Sequence, residues 1–347
     1  MKRNLFLIIG LIAILFPINL SAQEGPKISG FVQGLWQGNL NKDFKVVDNT
    51  FQARRVRLSV DGTLVKGLTY KIQGDFTRKP MLVDAYVKYK ACDAFAIQIG
   101  QYKIPFTMES PINPLNLEIF DYGESVQKLT GYNDVCGVGS LGRDLGIMAT
   151  GNLFKVEGKD FSLVSYSIGV FNGNGANEKD NNNSKDFVGK LEIHPMLKEI
   201  TLSGSFYHGF YDIANDIHNG IRNRWAAGAQ YSDGDLMVRA EYINGTTGHY
   251  DMEENGDLVL KNWLSRGYYA VAGYNFVLGK SQKLMPVLRY EHFTKDQTVA
   301  NGGTNYYTVG INYWPLKSLN FKLDYSLIQP ETGDYSHRVV GILSYKF

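Results

Sequence analysis

Apolar and polar residues alternate strictly along much of this chain. Residues 319–327 read Leu-Asn-Phe-Lys-Leu-Asp-Tyr-Ser-Leu, and the same alternation recurs up to Phe347. Because successive side chains of a β-strand point to opposite faces, each such segment has one apolar face and one polar face. The alternation and the turn residues between segments predict sixteen strands, at residues 27–38, 51–61, 68–76, 82–90, 94–102, 143–154, 161–171, 186–194, 200–210, 224–231, 235–244, 263–277, 284–293, 305–314, 319–328 and 337–347.

The connections between these strands alternate in length. Those that follow even-numbered strands are short, and those that follow odd-numbered strands are mostly long, with residues 77–81 as the exception. This sorting is typical of bacterial outer-membrane barrels, which have short periplasmic turns and longer external loops. The even number of strands also predicts that the first and last strands both end on the periplasmic side.

The apolar faces of the strands are expected to lie on the outside. A closed barrel of this many strands encloses more volume than side chains can fill, so its lumen holds water and is lined by the polar faces. Ile72, Val87 and Leu323 would then face lipid, and Lys71 and Lys322 would face the lumen. The fold predicted is an all-β, 16-stranded antiparallel transmembrane β-barrel, closed because unpaired backbone edges are costly in hydrocarbon.

The first 22 residues have the composition of a signal peptide. Two basic residues precede an apolar run at residues 5–16, and Ser21-Ala22 fits a small-residue cleavage site. We therefore expect export to the bacterial outer membrane, with residues 23–347 forming one barrel domain. Of the two cysteines, Cys92 falls in a short turn and Cys136 in a long loop at the opposite end, so a disulfide between them is not expected.

One predicted loop is much longer than the others, at residues 103–142. Loops of this length are usually functional, and folding it into the lumen would narrow the channel. We expect this loop to set the exclusion size and part of the charge selectivity. It contains five acidic residues and two basic ones, a formal charge of 2 − 5 = −3, which argues against a simple anion filter.

Basic residues collect on the luminal face of the first strands. Alternation places Arg55 and Arg57 there with Lys71, Lys88 and Lys90, whereas Arg54 would point outward unless the strand is irregular at that position. Two interpretations remain open. The basic groups either select solutes, or they are solvated charges that pair with the nearby Asp61, Asp75 and Asp84.

Four short runs resemble the phosphate-selective porin O and P family. They are Gly-Gln-Tyr-Lys-Ile-Pro-Phe at 100–106, Arg-Arg-x-Arg-Leu at 54–58, Asp-Ala-Tyr at 84–86 and Gly-Arg-Asp-Leu-Gly at 142–146. The resemblance implies a sixteen-stranded trimeric porin, with anion-selective members whose constriction carries arginine and lysine. The alternation and the resemblance together give these candidate pore-lining and selectivity residues: Arg54, Arg55, Arg57, Lys71, Asp84, Lys88, Lys103 and Arg143.

The function expected is a passive diffusion channel for small hydrophilic solutes, with anions such as phosphate as one option. Its partners would be outer-membrane lipid, the solutes and two further copies of the chain in a homotrimer, with no nucleic acid. Two alternatives are a lipase-like barrel enzyme using His208, and a surface attachment protein using residues 172–185 and 245–262. No catalytic set, cofactor or metal site is predicted. The glycine-rich run at 137–142 is not interpreted as a cofactor site, because it lacks the strand and helix of a dinucleotide-binding motif.

Overall fold

A computed structural model describes residues 25–212, 220–252, 258–279 and 282–347 of the chain. Within these residues the chain forms sixteen antiparallel strands, of which the twelfth is interrupted at Asn275. The strands are β1 (Lys27–Leu40), β2 (Val46–Val65), β3 (Leu68–Asp75), β4 (Leu82–Cys92), β5 (Phe95–Lys103), β6 (Arg143–Lys155), β7 (Ser162–Phe171), β8 (Asp186–Ile193), β9 (Ile200–Tyr211), β10 (Gly220–Ser232), β11 (Leu236–Met252), β12 (Leu258–Tyr274 and Phe276–Val277), β13 (Lys283–Thr294), β14 (Gly303–Leu316), β15 (Leu319–Pro330) and β16 (Ser336–Lys346).

The sheet closes on itself. Each strand pairs with its neighbours in sequence, and β1 pairs with β16 from Phe31 opposite Lys346 to Leu40 opposite His337. Every strand therefore has a partner on each side, which a sheet surrounded by hydrocarbon requires. The predicted antiparallel barrel of sixteen strands is confirmed.

The apolar face of the barrel lies outside, as alternation predicted. Ile72 and Leu323 are 53% and 52% exposed, whereas the neighbouring Lys322 is 3% exposed. One position on β4 departs from the pattern, because the register passes from Gln73 opposite Asp84 to Gly74 opposite Leu82. This β-bulge turns Val83 inward, where it is buried, and exposes Leu82 in its place.

Two predicted loops are largely strand. The predicted loop at 39–50 is a hairpin in which pairing continues to Leu40 opposite Val46. The predicted loop at 245–262 is a second hairpin, paired as far as Met252 opposite Leu258. Polar residues in these segments had indicated loops, but strands that extend beyond the apolar band no longer need an apolar face.

Aromatic side chains form a row on the outer surface across five adjacent strands. Trp225, Tyr242, Tyr268, Tyr290 and Tyr307 follow one another from β10 to β14, with ring centroids 5.2, 6.4, 6.2 and 5.2 Å apart. Aromatic girdles of this kind mark the membrane–water interface. The row therefore identifies β10–β14 as a lipid-facing side of the barrel.

The described residues contain little helix. One turn of 3₁₀ helix (Pro114–Asn116) and the short helix α1 (Glu124–Leu129) both lie between β5 and β6. No helix in the described part of the chain is long and apolar enough to cross a membrane. The predicted signal peptide lies outside the described residues, and Cys92 and Cys136 are free thiols.

The two faces of β3 make a direct test of the barrel's orientation. We expect Ile72→Arg to destabilise the folded barrel by about 2–4 kcal/mol, because it places a charge on the lipid face near the middle of a strand. Lys71→Arg, one residue away on the luminal face, should leave stability unchanged. Urea titration of the barrel folded into lipid vesicles measures both, and equal stability of the two variants would contradict the assignment of faces.

Candidate functional site

The segment between β5 and β6, residues 104–142 and called L3 here, folds into the barrel. Its apolar side chains are buried inside the lumen: Phe106, Leu117, Ile119, Val126 and Leu129. They pack on apolar residues that the wall turns inward, among them Val188, Ile243, Val271 and Val287. The expectation of a lumen lined only by polar groups was therefore wrong on this side, because a loop this long has to bury apolar residues of its own.

Small residues allow L3 to approach the wall closely. A side chain at Gly267 on β12 would place its Cβ 2.2 Å from Ser125 Cβ of α1. A side chain at Gly123, just before α1, would meet Arg289 and Glu291 of β13. At Gly123 the atoms met are the ends of long side chains, whereas at Gly267 they are the Cβ and Cα of Ser125. Gly267 is therefore the position that needs glycine for α1 to lie this close to β12.

Glu109 is the central anchor of L3. It is fully buried, and its Oε2 accepts hydrogen bonds from Arg289 Nη1 at 2.5 Å and from Arg239 Nη2 at 3.3 Å. Its Oε1 accepts from the backbone N–H of Gly123 at 2.6 Å. One carboxylate thus joins two strands of the wall to two parts of the loop, and charge-assisted hydrogen bonds of this kind are the strong ones.

Two further carboxylates of L3 pair with wall arginines. Glu118 accepts from Arg239 Nη2 at 2.7 Å and from Nη1 at 3.1 Å. Asp134 accepts from Arg224 Nη1 and Nη2, both at 2.6 Å, in a two-pronged pair. The arginines come from β10 and β11, so L3 is fixed along this side of the barrel.

A β-bulge in β2 supplies the last anchor. The register passes from Gln33 opposite Arg55 to Gly34 opposite Ala53, which leaves Arg54 as an extra residue. Arg54 therefore points inward, as anticipated for an irregular strand, and its Nη2 lies 2.7 Å from Asp121 Oδ2. Arg55 Nη2 donates to Asp121 Oδ1 at 3.1 Å.

These ion pairs set the ionisation of the loop. Burial by itself would raise the pKa of Asp121, but Arg54 and Arg55 outweigh it and hold the pKa below its usual value. The pKa values of Glu109 and Asp134 are lowered in the same way against burial, by Arg289 and Arg239 and by Arg224. A lowered folded-state pKa gives stability that is complete above about pH 4 and is lost only as the pH falls through the folded value. L3 therefore stays docked near neutral pH.

Wall side chains also bind the backbone of L3. Lys322 donates to the carbonyl of Leu117, and Asn312 donates to that of Glu118 at 2.7 Å. In the other direction, the N–H of Met108 donates to Glu241 at 2.7 Å, and that of Ser125 donates to Glu291 at 2.8 Å. These bonds satisfy backbone groups that an irregular buried segment would otherwise leave unpaired.

A cavity of about 330 Å³ remains open between L3 and the wall formed by β2–β6. L3 contributes three uncharged residues to its lining, Pro111, Asn113 and Pro114. The wall contributes the remaining lining residues: Arg57, Lys71, Gln73, Asp84, Tyr86, Gln98, Tyr102, Lys103, Arg143 and Met148. Four basic groups and one carboxylate therefore face this space.

Some of the basic groups are paired and others are not. Arg57 Nε donates to the buried Asp75 at 2.8 Å, and Arg143 Nε donates to Asp84 Oδ1 at 2.7 Å. Lys103 Nζ donates to the carbonyls of Ser110 and Ile112, each at 2.7 Å. Within the described residues neither Lys103 nor Lys71 forms an ion pair. Lys103 is held by the two loop carbonyls, whereas Lys71 faces the cavity, with Asp61 opposite it on β2.

The structure divides the sequence-predicted site residues into three groups. Arg57, Lys71, Asp84, Lys103 and Arg143 meet around the cavity. Arg54 and Arg55 hold L3 through Asp121. Lys88 is on the same wall, paired across strands with Gln98 and outside the cavity lining.

Sequence reasoning missed the anchors of L3. From the sequence, Glu109 counted only toward the formal charge of the loop, and no role was assigned to Arg224, Arg239 or Arg289. The sequence did contain a signal, because apolar residues at luminal positions such as Ile243 and Val287 indicate that other apolar side chains cover this part of the inner wall. The glycine-rich run at 137–142 lies in L3, with φ of +89° at Gly137 and +69° at Gly142, in a loop as expected.

Comparison with known proteins agrees with this geometry. A family model for the phosphate-selective porins O and P matches residues 34–217. The chain belongs to the phosphate-selective porin O and P family. It is an outer-membrane porin, a channel-forming barrel rather than an enzyme.

Solved structures share the fold of this porin at low identity. The anion-selective porin of Comamonas acidovorans is 11% identical, with a TM-score of 0.65 over 93% of this chain and 99% of that one. The outer-membrane channel DcaP of Acinetobacter baumannii is 13% identical, with a TM-score of 0.64 over 93% and 97%. A trimer form of OmpT of Vibrio cholerae is 10% identical, with a TM-score of 0.63 over 94% and 100%. No curated protein matches the chain.

Removing the central anchor should release L3. We expect Glu109→Gln to raise single-channel conductance and to destabilise the docked loop by about 3–5 kcal/mol, because it leaves buried arginines without their carboxylate. The matched control is Glu124→Gln in the same loop, since Glu124 is partly exposed and its ion pair among the described residues is with Lys128 at 3.6 Å. Planar-bilayer recording measures the conductance, and an unchanged value for Glu109→Gln would show that Glu109 does not hold the constriction.

Proposed function

We propose that this porin is a passive diffusion channel with a preference for small anions, and that solutes pass between L3 and the β2–β6 wall. The observation that carries this proposal is the charge facing the cavity. Four basic groups and one carboxylate line it, and L3 adds no charge there. Rings or clusters of one charge sign at a constriction favour the opposite ion.

The acidic composition of L3 is compatible with anion preference. Glu109, Glu118, Asp121 and Asp134 are each paired with wall arginines. The arginines that dock the loop compensate the charge of these carboxylates. The loop surface that borders the cavity consists of proline and asparagine. The formal charge of the loop therefore does not describe what a solute meets.

A smaller basic cavity adjoins the first. It has a volume of about 60 Å³ and is lined by Arg78 and Lys79 of the β3–β4 connection, by Asn177 and by Arg143, which it shares with the larger cavity. A run of positive charge on the β2–β6 side would draw anions toward the constriction.

We also propose that residues 1–22 are the export signal of this outer-membrane protein.

Ion selectivity tests the proposal. In asymmetric KCl near 0.1 M, where the screening length is about 10 Å, we expect the reversal potential to give a chloride preference. Lys71→Glu should lower the chloride-to-potassium permeability ratio roughly threefold. A change of two unit charges about 10 Å away alters the energy of an ion by about 0.3 kcal/mol at this screening length, in opposite directions for chloride and potassium. Lys66→Glu, with the same charge change in the exposed β2–β3 turn, is the control. Cation selectivity of the wild type would refute the proposal.

We further propose that the porin is a trimer that assembles through β15, β16, β1 and β2. A groove of about 620 Å³ lies on the outer surface of these strands, bordered by Trp36, Phe51, Phe321 and Leu343. Its floor includes Gly34, where an added Cβ would contact nothing in the chain. The aromatic row lies on β10–β14 instead. OmpT of Vibrio cholerae, which has this fold, has a trimer form.

Filling the groove should separate the subunits. We expect Gly34→Leu to weaken the trimer while leaving the barrel folded, because a Cβ at this position contacts no atom of its own barrel. Gly204→Leu on β9 is the matched control, since Gly204 is also an open outer-surface position. Light scattering in detergent measures the mass of each variant. A Gly34→Leu protein as trimeric as the control would exclude this face as the contact.

A further inference from the structure

The size of the cavity between L3 and the wall exceeds what an inorganic anion needs. At about 330 Å³ it lies at the lower end of the 300–1,000 Å³ that is common for small-molecule sites. A water molecule occupies only about 30 Å³ of liquid, and a bare oxyanion is a few times larger. The cavity therefore has room for an organic molecule of small-ring size beside its basic groups.

Five of the thirteen residues that line the cavity are apolar or aromatic. Pro111 and Pro114 border it on the loop side, and Tyr86, Tyr102 and Met148 border it on the wall side. Water-filled pores do not need apolar groups at their narrowest point. Small-molecule sites, by contrast, combine apolar and aromatic walls with a few placed polar groups.

Tyr86 and Lys71 form the key pair. They are directly opposite each other on adjacent strands and both face the lumen, so a charged group and an aromatic ring lie side by side. The ring of Tyr86 meets that of Tyr102 edge-on, with centroids 5.8 Å apart. Opposite Tyr86 on β5 is Gly100, where any side chain would collide with the Tyr86 backbone. The ring position is thereby fixed while the ring stays partly exposed to the cavity.

We propose that this cavity is a binding subsite for organic anions with an apolar body, such as aromatic monocarboxylates, which it prefers to compact anions of the same charge. The carboxylate lies against Lys71 and the neighbouring basic groups. The body lies between Tyr86 on the wall and Pro111 on the loop. This subsite rests on the proposed anion channel and adds the class of solute it selects. Binding has to be weak for the solute to leave, so the solute occupies this subsite only briefly on its way through the channel.

Block of chloride current by added anions tests the subsite. Benzoate and acetate carry the same charge and the same carboxylate, and they differ only in the apolar body. We expect benzoate to halve the chloride conductance of the purified porin in a planar bilayer at a concentration at least tenfold below that of acetate, a difference of about 1.4 kcal/mol. Benzamide, which has the ring without the charge, should not block at the benzoate concentration.

Three variants locate the effect. Tyr86→Ser should bring the benzoate and acetate values close together, and Pro111→Ser, at an exposed loop position, should act in the same direction without burdening folding. Lys71→Gln should weaken both anions by a similar factor and leave their ratio unchanged. The control is Tyr306→Ser, which removes a luminal tyrosine outside the cavity lining and should keep the ratio of the wild type.

The outcomes separate this inference from the channel proposal. A wild type that prefers chloride to potassium but is blocked equally by benzoate and acetate would overturn the subsite and leave the anion channel standing. Equal block by benzamide would also overturn it, because the charge would then be irrelevant. A protein that conducts no current would instead refute the channel itself.

Discussion

The ion pairs between L3 and the inner wall are the interaction on which the site depends. A barrel of this size cannot fill its own lumen, so the constriction exists only while a loop is held across it. Four carboxylates of L3 bind five arginines on β2, β10, β11 and β13, and Glu109 alone bonds two of them. Breaking one such buried pair is costly, about 3–5 kcal/mol, because the remaining charge stays desolvated. The loop is therefore held as firmly as a part of the barrel.

The docking of L3 also decides which charged groups a solute in the cavity meets. Glu109, Glu118 and Asp134 pair with arginines of β10, β11 and β13, away from the cavity, and Asp121 pairs with the two arginines of the β2 bulge. The charges of these four carboxylates are therefore compensated where the loop docks. What remains beside the open space is the basic wall of β2–β6, where Lys71 forms no ion pair among the described residues. A channel can thus be basic at its constriction although the loop that forms it is acidic overall.

The barrel has two apolar surfaces with different tasks. The outer one meets lipid, and its aromatic row spans β10–β14. The inner one lies under L3, where Ile243, Val271 and Val287 are buried against Phe106 and its neighbours. Burying a large apolar side chain stabilises a packed arrangement by about 1.5–3 kcal/mol. This core and the ion pairs therefore both hold L3 against the wall. The inner face of β2–β6 carries fewer such residues, and this is the side left open.

The alternation of residues determined the sixteen strands, their faces and the existence of a long loop, since period-two patterning and turn residues are local properties of the chain. The family resemblance pointed to Arg143, and the alternation placed Arg57 and Lys71 on the luminal face, where they could meet it. The alternation could not pair Glu109 with Arg239 and Arg289, which lie 130 and 180 positions away along the chain. Nor could it fix the bulges that turn Arg54 and Val83 inward, because these depend on the register of the neighbouring strand. Only the closed barrel brings those distant groups to one point, and so only the tertiary structure decided which charges anchor the loop and which face the solute.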